Sequence, residues 1–288
     1  MIGTQVSHYK ILAKLGAGGM GGVYLAEDVS RRRKVALKVL PPELDDRRSL
    51  RRFEREARVL AALEHPNIVR IYSVEEHRGL RFITMEWLSG RTLAEVIPAD
   101  GFDLRSFHEL AAAIVAALAA THEKGVIHRD LKPANVMAMD DGRAKVLDFG
   151  LARLKDDTDS TERLTDRGAL LGSMPYMSPE QVRGEDIALA SDIFSLGILL
   201  CQMLTGKRPF PGRAWAAAMA ILRDPHRPIR ELRPDAPAAL VAVIDRCLAK
   251  DAADRYASAV ELSPALAAAR EEDGEHDGDG ESLRAMAG

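Results

Sequence analysis

Residues 128–150, HRDLKPANVMAMDDGRAKVLDFG, constrain the fold of this chain more than any other stretch. Two acidic segments stand about eighteen residues apart within it. The first sets Asp130, Lys132 and Asn135 in a short non-repeating loop, and the second puts Asp148 in front of an aromatic and a glycine. Between them, VMAMDDGRAKVL reads as two short strands around an Asp-Gly turn. A hairpin folds its ends together, so Asp130, Asn135 and Asp148 are expected at one mouth. Two carboxylates and an amide oxygen there make a hard-oxygen set suited to magnesium, which takes few carboxylates and completes its shell with phosphate oxygens and water. Aspartates are also common in turns for purely local reasons. That covers Asp140 and Asp141, but not so many coincident offsets.

The spacing HRD-x-K-x-x-N followed by DFG resembles the catalytic loop and metal-binding segment of the protein kinases, with Lys132 in the serine/threonine form. The resemblance implies that Asp130 orients the substrate hydroxyl and takes its proton, and that Lys132 neutralises charge on the travelling phosphoryl group. Asn135 and Asp148 then hold magnesium, with manganese as an alternative ion, and ATP is the phosphoryl donor.

Upstream, LGAGGMGG carries Gly16, Gly18 and Gly21 at G-x-G-x-x-G spacing. Dinucleotide-binding folds share this motif but open a helix at its last glycine. Here it lies between strand-like runs, 8–15 and 23–27, and a further strand VALKVL follows the charged turn SRRRK. Strand–glycines–strand is a hairpin lid, whose bare backbone lets amides approach phosphates closely. By the resemblance the nucleotide site comprises Leu15, Gly16, Ala17, Gly18, Gly19, Met20, Gly21, Gly22 and Val23 from this lid. Ala36, Lys38, Met85, Glu86, Leu88 and Met137 complete it. Met85 guards the back of the adenine pocket, and residues 86–88 form the hinge.

Lys38 shares a strand face with Ala36, opposite Val35 and Leu37, and a lysine facing inward needs a counter-ion. The run 47–63 has a helical apolar stripe at Leu50, Phe53, Ala57 and Leu60, and Glu56 lies on that face. The expected pair is Lys38–Glu56, which the resemblance makes the ion pair that positions the α- and β-phosphates.

From residue 104 the chain turns helical. Residues 104–123 form an apolar-striped core helix stopped near Gly125. The polar stretch KDDTDSTERLTDRGALLG and the closing GSMPYMSPE resemble an activation segment, in which Ser173 replaces the family's usual threonine. Thr158, Ser160, Thr161 and Thr165 are candidate phosphate acceptors, Thr165 the first choice, with Arg129 as the cation to meet the phosphate. Asp192 opens a helix apolar around its circumference and so needs hydrogen-bond donors. By the resemblance it holds the catalytic-loop backbone, and Arg255 pairs with Glu180. His128 is expected to pack beneath the loop.

Three units are expected: 1–88, a small nucleotide-binding lobe; 89–268, a larger lobe with catalytic loop, activation segment and substrate docking; and 269–288, an acidic, Gly-rich disordered tail. The fold class is α+β, the bilobal protein-kinase fold with one regulatory helix in the small lobe. A net charge of −3 gives no reason to expect nucleic acid as a partner. Two cysteines within apolar patterns, no signal-like N-terminus and no uninterrupted apolar run of spanning length point to a cytoplasmic chain without a membrane segment. GGMG, HPNIV, DLKPAN and YMSPEQ resemble most the eukaryotic-like serine/threonine kinases of bacteria, over roughly residues 9–265. Protein substrates with Ser/Thr acceptors, and self-phosphorylation in trans, follow from that. The alternative is a pseudokinase acting as a nucleotide-binding scaffold, which would usually show a gap at the lysine, the base or the metal aspartate, and none is missing. A small-molecule phosphotransferase would lack the GSMPYMSPE docking segment.

Overall fold

Alternation of period two builds the first third of the molecule. Val35 and Leu37 in strand β4 (Arg33–Val39) are fully buried on one face of the sheet, against Tyr9, Ile11 and Phe82. Ala36, on the other face, joins the main core with Met85. The sheet has six antiparallel strands in the order β1-β2-β3-β4-β6-β5. The others are β1 (Gln5–Val6), β2 (Tyr9–Gly18), β3 (Gly21–Asp28), β5 (Ile71–His77) and β6 (Leu80–Glu86). The computed structural model describes residues 1–18, 21–40, 58–140, 142–149 and 172–285; for residues 17, 18, 21 and 273–285 it describes the backbone. Residues 58–62 are helical (α1), and Leu60 is buried in the main core.

The larger lobe is helical and assembled on two buried helices. These are α3 (Leu104–His122), which follows α2 (Leu93–Val96), and α5 (Leu189–Thr205), which follows α4 (Pro179–Arg183). Asp103 caps α3 by accepting the Ser106 N–H. By length and apolar composition α3 could cross a membrane, which the sequence reading did not anticipate. Its Phe107, Ile114 and Leu118 are instead fully buried in the core. The many alanines that raise its apolar content also let neighbouring helices pack closely. Around α5 lie α6 (Trp215–Arg223), α7 (Ile229–Leu232) and α8 (Ala238–Cys247).

The last helix, α9 (Ala259–Ala285), packs Leu262, Leu266 and Ala269 into the core. Its backbone continues as helix across residues 269–285, where composition leads one to expect a disordered tail. Propagation from a helix already nucleated and packed avoids the costly first turn, so a polar sequence can follow it.

A small three-stranded sheet, order β7-β8-β9, joins the two parts: β7 (Gly90–Thr92), β8 (Val136–Met139) and β9 (Ala144–Val146). The expected hairpin is β8–β9, turning at Gly142 with φ 82°, a conformation glycine adopts without strain. Asn67 holds this hairpin to the small lobe: its side-chain amide donates to Ala144 O, and its carbonyl accepts from the Val146 N–H.

Candidate active site

The hairpin brings the two acidic segments together. A 3-10 turn, Pro133–Asn135, aims Asn135 back at the loop, where its amide donates to Asp130 O at 2.8 Å and Asp130 Oδ2 at 3.1 Å. Lys132 Nζ donates to the same Oδ2 at 2.7 Å and to Ser173 Oγ at 2.7 Å. The second segment is laced to the first by the Leu147 N–H, which donates to Asn135 O, and by the Leu147 carbonyl, which accepts from the His128 ring. Asp148, the next residue, meets Lys38 Nζ from β4 at 2.8 Å. Lys38, Asp130, Lys132, Asn135 and Asp148, drawn from both lobes, thus form one connected constellation.

Among the described residues Lys38 meets Asp148; Glu56, its expected partner, lies outside them. Both Asp148 (φ 49°) and Arg129 (φ 65°) sit in the left-handed region, which costs a non-glycine residue about 1–3 kcal/mol unless its surroundings impose it. The surroundings of Arg129 are visible. Its N–H donates to Asp192 Oδ1 at 2.9 Å, and its carbonyl accepts from Gln181 Nε2 at 2.8 Å. The His128 N–H donates to Asp192 Oδ2 at 2.6 Å.

His128 is fully buried, and burial pulls its pKa down although Asp192 and Asp130 lie near. Nε2–H donates to Leu147 O and Nδ1 accepts the Asp130 N–H, so the ring is neutral and its tautomer fixed. It packs 4.7 Å from the ring of Phe149. It sits beneath the loop as expected and spans both acidic segments.

Of the residues expected to line a nucleotide site, Ala36, Met85 and Leu88 are buried, Val23 and Met137 are half-buried, and Leu15 is exposed. Lid register is Gly16↔Val23, Ala17↔Gly22 and Gly18↔Gly21; Gly19 and Met20 lie outside the described residues. Glu86 accepts from Lys145 Nζ at 2.7 Å, which pins the end of β6 to β9. Lys145 escaped the sequence reading, because a lone lysine in a short strand carries no mark of its partner 59 residues away.

Glu180 and Arg255 form the expected pair, bidentate at 2.8 and 3.0 Å, with Ser191 Oγ donating to the same carboxylate. Burial pushes the Glu180 pKa up, but the Arg255 and Ser191 hydrogen bonds outweigh it and the net shift is downward. Ser173 is buried at its bond to Lys132. Thr158, Ser160, Thr161 and Thr165 lie outside the described residues.

No group of three or more His, Cys, Asp and Glu side chains gathers as a metal cage among the described residues. The donor set still fits a hard divalent ion. With the Asn135 amide nitrogen committed to Asp130, its side-chain carbonyl oxygen is the end that could meet a cation, and the Asp148 carboxylate is the second such oxygen donor. Two such oxygens suit an ion that draws the rest of its shell from phosphate and water.

The sequence pattern described as "Protein kinase domain" matches residues 9–264. The chain is 38% identical over 266 residues to the serine/threonine-protein kinase PrkC of Bacillus subtilis, covering 91% of this chain and 40% of that protein. It is 40% identical over 262 residues to the serine/threonine-protein kinase PknB of Mycolicibacterium smegmatis, covering 88% of this chain and 41% of that protein. The chain therefore spans about two fifths of the length of these curated relatives. Among solved structures, the PknI kinase domain of Mycobacterium tuberculosis superposes with a TM-score of 0.71 at 29% identity, covering 93% of this chain and 99% of that one.

Proposed function

The chain belongs to the protein kinase family, and from that premise we propose that it transfers the γ-phosphoryl group of ATP to serine or threonine hydroxyls of protein substrates. The observation that carries this reading is the convergence of Lys132 and Asn135 on Asp130, with Lys38 and Asp148 meeting beside them.

Asp130 orients the acceptor hydroxyl and takes its proton as the oxygen bonds to the γ-phosphorus and the bond to the bridging oxygen of the leaving diphosphate breaks. General-base help of this kind contributes about 10²–10⁴-fold. Lys132 offsets charge on the moving phosphoryl group and, through Ser173, ties the base to the docking segment. Lys38 holds the nucleotide phosphates. Asn135 and Asp148 would hold magnesium, or manganese in its place. A divalent ion held there would supply charge neutralisation to the nucleotide phosphates. Because the transition state is loose, these residues act mainly by positioning and electrostatics.

Self-phosphorylation in trans, with Thr165 first among the acceptors, belongs to the same proposal. So does a reducing cytoplasmic setting, in which the buried thiols of Cys201 and Cys247, each pushed up to about 12 chiefly by burial, stay free. Incubation with ATP and magnesium followed by phosphosite mapping tests the reading, with Asp130→Asn as control. Phosphoserine or phosphothreonine formed by the wild type and not by Asp130→Asn is expected. Equal occupancy in both would overturn it, and no transfer by the wild type would favour a nucleotide-binding scaffold.

A further inference from the structure

Asp192 is a buried carboxylate, and such a charge costs several kcal/mol unless donors surround it. Two donors are the catalytic-loop amides of His128 and Arg129. A third is His122 in the last turn of α3, itself buried, with Nε2 at 3.0 Å from Asp192 Oδ2. The other ring nitrogen, Nδ1, accepts the backbone N–H of Ala259 at 3.1 Å. Ala259 opens α9, where the first amides of a helix have no partner inside it. Accepting at Nδ1 leaves the proton on Nε2, so the neutral ring donates to Asp192. One imidazole thereby links the start of α9 to the loop that carries Asp130.

We infer that His122 is a positioning residue for phosphoryl transfer, coupling the register of the C-terminal helix to the catalytic loop through Asp192. The inference rests on the kinase reading above. The point of leverage is Arg129, held at φ 65° by Asp192 and adjacent to Asp130. If Asp192 shifts, Arg129 can relax and Asp130 moves with it. A misplacement of about 1 Å at a reacting group can cost on the order of 10²-fold in rate. A histidine that merely filled the core would act on stability and leave turnover per folded molecule alone.

Variants of the full chain separate the two roles. His122→Phe keeps a ring and deletes both bonds. His122→Gln returns a donor near the Nε2 position, and His122→Asn returns an acceptor near Nδ1. Expected for His122→Phe is a fall in kcat per folded molecule of about ten- to a hundredfold, with KM for ATP changed by less than about twofold. His122→Gln should recover most of that loss and exceed His122→Asn. Ala259→Pro removes the amide at a helix position that accepts proline. It should lower kcat in the wild-type background and add nothing to His122→Phe. Wild-type kcat per folded His122→Phe, equal kcat for Gln and Asn, or additive effects at 122 and 259 would each overturn the coupling. Where His122→Phe does not fold, the Gln–Asn comparison decides. An inactive wild type under the same conditions sinks the kinase reading instead.

Discussion

Lys250 shows how burial sets chemistry one side chain at a time. Its ammonium donates to the Ile221 carbonyl in the last turns of α6 and lies 3.9 Å from the centroid of the Phe210 ring. Burial pulls its pKa down to about 8; Asp224 opposes this, while Arg255 and Arg183 add to it. Below pH 8 both folded and unfolded chains hold the proton, and the folded state bears the cost of the buried charge. Between about 8 and the ordinary value of 10.5 the unfolded chain binds a proton that the folded chain does not, so this residue's contribution to stability rises with pH. Urea midpoints of the wild type should therefore rise relative to Lys250→Met between pH 8 and 10; parallel curves would contradict it. Glu180 and Arg255 were legible as partners because each sits in its own motif, SPE and DRY. His122 was not, because a histidine on an apolar helical face looks the same whether it fills space or relays a hydrogen bond. Lys38 was legible as an inward lysine, but alternation in a strand does not say which carboxylate meets it.

Element by element, the packing of α5 was readable from residues apolar around its circumference, and the structure buries nearly every one. What the sequence could not convey is how closely α8 approaches it. A Cβ added at Gly197 would stand 2.8 Å from Cys247 Cβ and 3.1 Å from Leu248 Cδ2. Helix propensity alone favours alanine over glycine by about 0.8–1 kcal/mol. Overpacking a tight core costs about 1–3 kcal/mol, and the contact here is with a Cβ anchored directly to backbone, so the cost should win. Gly197→Ala is predicted to lower stability by about 1 kcal/mol in chemical denaturation; a stabilised variant would show that α8 can move away. The β8–β9 hairpin, by contrast, was fully legible, since the Asp-Gly turn and the flanking apolar residues specify register locally. Past residue 268 the backbone is helical to Ala285 where composition alone suggests a tail, because composition reports what a segment can bury and not what it continues from.

At the scale of the molecule, contacts between the lobes include Asn67 on the β8–β9 hairpin, Lys145 on Glu86 and Lys38 on Asp148. The change from strand alternation to helical periodicity near residue 104 was readable from the residues, and the bilobal α+β architecture was implied by the kinase resemblance. A mouth formed by Asp130, Asn135 and Asp148 was expected from the hairpin; Asn135 Nδ2 lies 3.1 Å from Asp130 Oδ2, and Asp148 meets Lys38 at 2.8 Å. Removing Asp148 tests that convergence most directly, because its carboxylate joins the small-lobe lysine to the large-lobe loop. The measurement is incorporation of γ-phosphate from ATP and magnesium into a generic protein acceptor by the wild type and by Asp148→Ala, with thermal unfolding recorded for both. Transfer by the wild type is expected, with a loss of at least about 10³-fold in the variant and cooperative unfolding retained. Undiminished transfer by folded Asp148→Ala would contradict it.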